Sequence, residues 1–228
     1  MLELTTMLTG LNVTFFHVPG ETDDHINVWL PDRRVLITGD NVYRAFPNIY
    51  AIRGVARDPL QWMRTLRRVR SLGAEHLVPL HGPSVSGRQE IYDLLTVYSS
   101  AMEFVHDQTV RRINELRHPD EIGRLVQLPP SLASNPYLRD LYGFVEGSVK
   151  SIYQQYLGWF SGDPADLMPL TPSERAQSMI DWLGIDRLLH LFLFFGKLFQ
   201  CDSWCFDCKV LTRFRTNLSE KNIASINA

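Results

Sequence analysis

Cysteine is scarce in this sequence: there are three among 228 residues, and all of them (Cys201, Cys205 and Cys208) lie near the C-terminus. The body of the chain therefore holds no disulfide framework, and its stability must come from packing. Charge of one sign is also lacking, since the formal net charge is −2, which gives no general attraction for nucleic acid or anionic lipid. The arginines Arg64, Arg67, Arg68 and Arg70 sit at helical spacing and read as a solvated helix face. The first ten residues have no basic segment, no long apolar stretch and no small-residue cleavage site, so a secretory signal is not expected and an intracellular location is. The longest apolar run, Leu188 to Phe199, is interrupted by His190 and Lys197 and is too short to span a bilayer; it reads as a buried or interfacial helix rather than a membrane anchor.

What remains is ordinary globular composition, with 45% hydrophobic and 21% charged residues. The first hundred residues alternate strand and helix signals. Leu11 to Val18 is apolar and β-branched, and Ile26 to Leu30 and Arg34 to Thr38 flank a tight turn at Pro31-Asp-Arg33. From Asp58 to Leu72 the apolar residues Leu60, Met63, Leu66 and Val69 recur every three residues. Asp58 and Pro59 are placed as N-cap and first helical residue, with Gly73 as the stop. Leu77 to Leu80 reads as a short buried strand, and a helix begins after Gly87 with Ile91, Leu94, Leu95 and Tyr98 facing inward.

Beyond about Ser99 strand signals vanish. Helical periodicity and turn dipeptides take over, and Tyr137, Tyr142, Phe144, Tyr153, Tyr156, Trp159 and Phe160 crowd one stretch. So much aromatic area suits a helix packed on two sides, as at a domain or subunit interface; a symmetric dimer burying Tyr153, Tyr156 and Trp159 is expected, at the dimer contact or against the first domain. Three regions follow: an α/β part over residues 1–98, a helical part over 99–186, and a tail over 187–228. In the tail, Cys201, Cys205 and Cys208 stand at C-x3-C-x2-C spacing; free thiols are the expected state, with zinc binding requiring a fourth ligand such as His190.

Three strand-end segments carry metal-capable side chains: His17-Val-Pro-Gly-Glu-Thr22, Leu36-Ile-Thr-Gly-Asp40 and Leu77-Val-Pro-Leu-His-Gly82. Glu21, Asp40 and His81 offer two carboxylates and an imidazole, a mixture suited to zinc or another borderline divalent ion rather than to calcium. Such an ion with an open position acidifies water and polarises an ester or sulfate oxygen. Taken singly, each residue could equally be a cap, a turn or a loop residue; it is their recurrence on consecutive strand ends that points to a site.

Pro19-Gly-Glu-Thr-Asp-Asp-His25, Val28-Trp-Leu-Pro31, Gly39-Asp40 and Pro79-Leu-His-Gly82 together resemble the C-terminal half of a metallo-β-lactamase-fold domain of the αββα type. Phe46-Pro-Asn-Ile-Tyr-Ala-Ile-Arg-Gly54, the stretch Tyr142 to Pro164 and Leu167-Met-Pro-Leu170 resemble the alkylsulfatase group and its all-α dimerisation domain. The resemblance spans about residues 10 to 182. It implies a hydrolase of sulfate esters with two zinc ions per site, a small-molecule sulfate ester as substrate, and a homodimer formed through residues 99–186. Nucleic acid is not an expected partner, nor is a membrane.

By the same resemblance Glu21 occupies a metal position filled by His in other branches of the superfamily. Asp40 falls where a carboxylate bridges two metals; the alkylsulfatases have Glu there, so the chain departs from them at this point. His81 matches the last histidine ligand, and Arg53 an arginine that pairs with a sulfate oxygen through its planar fork, with a structural salt bridge as its other reading. His25 aligns with a loop that carries no ligand histidine, and a supporting or packing role is expected for it. The motif H-x-H-x-D-H occurs nowhere in the sequence, nor do the strands and helix expected before residue 10. As it stands, the chain is thus expected to be incomplete or inactive as an enzyme, and the alternative is a non-catalytic dimerisation module with a vestigial metal-binding half-domain.

Overall fold

The computed structural model of the protein describes residues 2–51, 55–184 and 187. Residues Met1–Leu167 form one compact unit, and the second unit begins at Met168.

The first unit is built on a six-stranded sheet: β1 (Glu3–Leu8), β2 (Leu11–His17), β3 (Ile26–Leu30), β4 (Val35–Gly39), β5 (His76–Pro79) and β6 (Val85–Ser86), paired in that order. All neighbours are antiparallel except β4 and β5, which are parallel because helix α1 (Pro59–Arg70) carries the chain back between them. The hairpin β1–β2, turned at Thr9-Gly10, corrects the expectation that no strand precedes residue 10. In β1 the apolar Leu4, Met7 and Leu8 are mixed with Glu3, Thr5 and Thr6 without regular alternation, and its residues remain largely exposed.

Helix α1 begins where the sequence places it. The Asp58 carboxylate accepts from the amides of Leu60 and Gln61 at 2.8 and 3.1 Å, and Pro59 stands at the first helical position. Its buried face holds Met63, Leu66 and Val69 as expected, and also Trp62, which is fully enclosed. Three of the four arginines lie outward with polar partners: Arg67 meets Glu103, Arg68 meets Glu3 and Arg70 meets Thr96.

Helix α2 (Arg88–Asn114) packs along α1 and runs unbroken through Tyr98 and Ser99. Ile91, Leu94, Leu95 and Tyr98 are all buried, joining Trp62 and Leu66 and the sheet residues Phe16, Trp29, Leu36 and Leu77 in one core. Short helices α3 (Pro119–Leu125) and α4 (Pro130–Ala133) lead to α5 (Val145–Leu157), which packs on α2 and α3, and α6 (Pro164–Leu167) ends the unit.

The other sheet face is apolar and open. Register aligns Leu4 with Phe15, Phe15 with Val28, Val28 with Ile37, and Ile37 with Val78, a row crossing five strands. Leu4 is 63% exposed, Ile37 38% and Val78 37%.

In the second unit, helix α7 (Pro172–Leu183) opens on a reciprocal cap. The Thr171 hydroxyl accepts from the Glu174 amide, and the Glu174 carboxylate accepts from the Thr171 amide. The apolar run Leu188 to Phe199 and all three cysteines lie outside the described residues. Among the described residues no helix is long and apolar enough to cross a membrane.

Candidate metal centre

Strand direction explains why three distant segments meet. β2 and β4 both run antiparallel to β3, so they point the same way, and β5 runs parallel to β4. The C-terminal ends of β2, β4 and β5 therefore share one edge of the sheet, and Glu21, Asp40 and His81 follow those ends.

Asp40 stands between the other two. His81 Nδ1 lies 2.6 Å from Asp40 Oδ1, with His81 73% exposed and Asp40 25%. That contact engages Nδ1 and leaves Nε2 as the ring nitrogen available to a ligand. Glu21 is buried, and burial pushes its carboxyl group up from the ordinary range; Arg57 opposes that rise, while the neighbouring Asp40 carboxylate adds to it.

The Glu21 loop is fixed from beneath by residues with no chemical motif. Asn41 is fully buried: its amide donates to Val18 O at 2.8 Å, and its Oδ1 accepts from the Glu21 backbone N–H at 2.9 Å. Helix α1 completes the support, with Trp62 Nε1 donating to Asn41 O at 3.0 Å and the Thr65 hydroxyl donating to Pro19 O at 2.8 Å. Gly20 is required here, since a Cβ would stand 2.0 Å from Asn41 Oδ1 and 2.9 Å from the Trp62 ring.

A roof comes from two loops. Arg57 Nη2 lies 3.0 Å from Glu21 Oε1, and its Nη1 donates to Asn48 O. The Tyr142 hydroxyl donates to the same Glu21 oxygen at 3.4 Å, and the Tyr142 ring packs edge-on against Tyr43 at 5.1 Å. Gly143 lets the Tyr142 segment lie on the loop Phe46-Pro47: its N–H donates to Phe46 O at 3.1 Å, and a Cβ would meet Pro47 O at 2.3 Å. Two of the three sequence stretches that resemble the alkylsulfatase group are thus in contact beside Glu21.

Of the residues expected at the site, Asp40 and His81 are in contact and Glu21 is beside Asp40, whereas Arg53 lies outside the described residues. His25 turns inward, its Nε2 2.8 Å from Thr38 O, and so braces the strand leading to Asp40. Sequence reasoning missed Asn41, Arg57 and Tyr142. Asn41 directly follows Gly39-Asp40, and Tyr142 opens a recognised stretch, so both carried a positional signal; Arg57 carried none.

The donor chemistry fits a divalent cation: two carboxylates, one of them hydrogen-bonded to an imidazole. The set is partial, because among the described residues no group of three or more His, Cys, Asp and Glu side chains is arranged to hold a metal ion.

Residues 3–81 match the family model of the metallo-beta-lactamase superfamily, and residues 118–191 match that of alkyl sulfatase dimerisation. The chain is 46% identical over 184 residues to a linear primary-alkylsulfatase of Pseudomonas sp., covering 79% of this chain and 35% of that protein. It is 32% identical over 182 residues to the alkyl/aryl-sulfatase BDS1 of Saccharomyces cerevisiae, covering 78% and 28%. Among solved structures, the stereoselective inverting sec-alkylsulfatase Pisa1 from Pseudomonas sp. superposes with a TM-score of 0.78 at 27% identity, over 83% of this chain and 31% of that one. The chain thus spans about a third of the length of these relatives. Residues 3–81 are thus similar to the metallo-beta-lactamase superfamily, residues 118–191 to the alkyl sulfatase dimerisation family, and most of the chain to part of the alkylsulfatases.

Proposed function

We propose that this chain contributes Glu21, Asp40 and His81 to a zinc-dependent site that hydrolyses sulfate esters, two zinc ions serving each complete site. The observation that carries this reading is the contact of Asp40 with His81 at the sheet edge it shares with Glu21. The sulfatase names of the relatives support the substrate class. When bound, such ions supply Lewis acidity, lowering the pKa of water to about 7 and polarising an ester oxygen. The protein's own part is positioning: Asp40 orients the His81 ring, the Asn41 side chain and Trp62 hold the Glu21 loop, and Tyr142 closes over it. Arg53 is assigned to the sulfate, whose tetrahedral oxygens suit a planar guanidinium fork.

The helical region, residues 99–186, is assigned to self-association as a homodimer, with 1–98 as the metal-site part and 187–228 as a separate tail. Tyr153 is already buried within the chain, at 7% exposure, so the contact is carried instead by Tyr156 and Trp159, which are 53% and 67% exposed. The family model matched over residues 118–191 supports self-association.

Zinc analysis of the purified protein, with an alkyl sulfate hydrolysis assay, tests the catalytic reading: bound zinc with turnover supports it. A second reading, a dimerisation module without catalysis, is favoured by the partial ligand set; it predicts a dimer in sedimentation with neither zinc nor turnover.

A further inference from the structure

The sulfatase reading leaves Arg57 unused, yet Arg57 forms an ion pair with a candidate ligand, Glu21. Its side chain is only 14% exposed, and its Nη2 stands 3.0 Å from Glu21 Oε1. The Tyr142 hydroxyl donates to that same oxygen, so Oε1 is engaged by two donors from outside the sheet. Arg57 is itself anchored twice, through Nη1 to Asn48 O and through its own carbonyl, which accepts from Gln155 Nε2 of α5 at 3.0 Å.

Glu21 and Asp40 are neighbouring carboxylates at a poorly hydrated edge, where two like charges need a counter-charge. Of the cationic side chains in the described residues, Arg57 is the one paired with Glu21. A divalent cation would satisfy the same need. A guanidinium and a metal ion cannot both take Oε1 as their primary contact, because each would lie in the other's repulsive field.

We propose that Arg57 is a built-in counterion that competes with the metal for Glu21, so that α5, gripping Arg57 through Gln155, sets how tightly the site takes zinc. The proposal rests on Glu21 being a ligand. It makes Arg57 a positioning residue with an opposite sign to the usual one: it stabilises the metal-free site and weakens the metal-loaded one.

The test is zinc binding by titration calorimetry on the full chain, with the melting temperature of the metal-free protein as a second readout. Arg57→Gln is expected to tighten zinc binding about tenfold, the low end of the range by which an adjacent arginine weakens a carboxylate's hold on a proton, while lowering the metal-free melting temperature. Arg57→Lys should fall between. Tyr142→Phe, which removes one donor to Oε1 without removing a charge, should tighten binding about twofold and guards against misfolding of the arginine variants. Zinc affinity that is unchanged or weaker in both Arg57→Gln and Tyr142→Phe overturns the proposal. If the parent binds zinc and His81→Ala abolishes it, that outcome leaves the sulfatase-site reading standing. If no variant binds zinc, both fail.

Discussion

His81 Nδ1 and Asp40 Oδ1, 41 residues apart in sequence, meet at 2.6 Å across the parallel pair β4–β5. The contact distinguishes His81 from His76 at the opposite end of β5, whose Nδ1 faces the Ser86 hydroxyl at 2.9 Å. His81→Ala is therefore expected to weaken zinc binding at least tenfold, whereas His76→Ala should change it less than twofold. Calorimetric titration of the two variants decides, and equal losses would remove His81 from the site.

Gly20→Ala places a methyl group 2.0 Å from Asn41 Oδ1 against a fully buried neighbour that also holds Trp62. Overpacking of this kind costs about 1–3 kcal/mol. Urea unfolding should register that loss, together with a fall in zinc affinity because the displaced loop carries Glu21; a variant as stable as the parent would show that the loop is not packed as described.

Thr38→Val tests the opposite effect. Among the described residues the Thr38 hydroxyl, fully buried, has no hydrogen-bond partner, and neither has the Asn27 side chain on the next strand. Replacing a lone buried hydroxyl by an isosteric methyl should raise stability by about 1 kcal/mol. A loss in chemical denaturation would mean that the hydroxyl has a bonding partner in solution.

Lys150 on α5 lies 2.8 Å from Asp120 in the first turn of α3. Its hydrogen bond holds the Asp120 carboxyl below the usual range, and the same bond raises the Lys150 ammonium. The pair's contribution is full between about pH 4 and pH 10. It fades as pH falls through the lowered Asp120 value, and again as pH rises through the raised Lys150 value. Both groups are partly solvated, so Lys150→Met should cost under about 1 kcal/mol at pH 7, and the cost should vanish once pH falls below the lowered Asp120 value. A cost persisting there would assign it to packing of the lysine stem instead.

Strands β2 to β5, helices α1 and α2 and the inward set Ile91, Leu94, Leu95 and Tyr98 were legible because periodicity and caps are local signals. Strand β1 was not, since its pairing with β2 depends on a partner rather than on its own pattern. The same distinction runs through the site. Asp40 and His81 could be picked out by residue type at strand ends, but Asn41, Trp62 and Arg57 act through contacts formed only when three segments and α5 come together. No spacing rule connects Arg57 to Glu21 or to Gln155.

The apolar row from Leu4 through Phe15, Val28 and Ile37 to Val78 has a thermal consequence. Whatever comes to cover that face, its hold will rest on dehydrating hydrocarbon, and so will carry a negative heat-capacity change and weaken on cooling. Any assembly made through this row should accordingly be the one that loosens in the cold room, while the polar grip of Asn41 on the Glu21 loop does not.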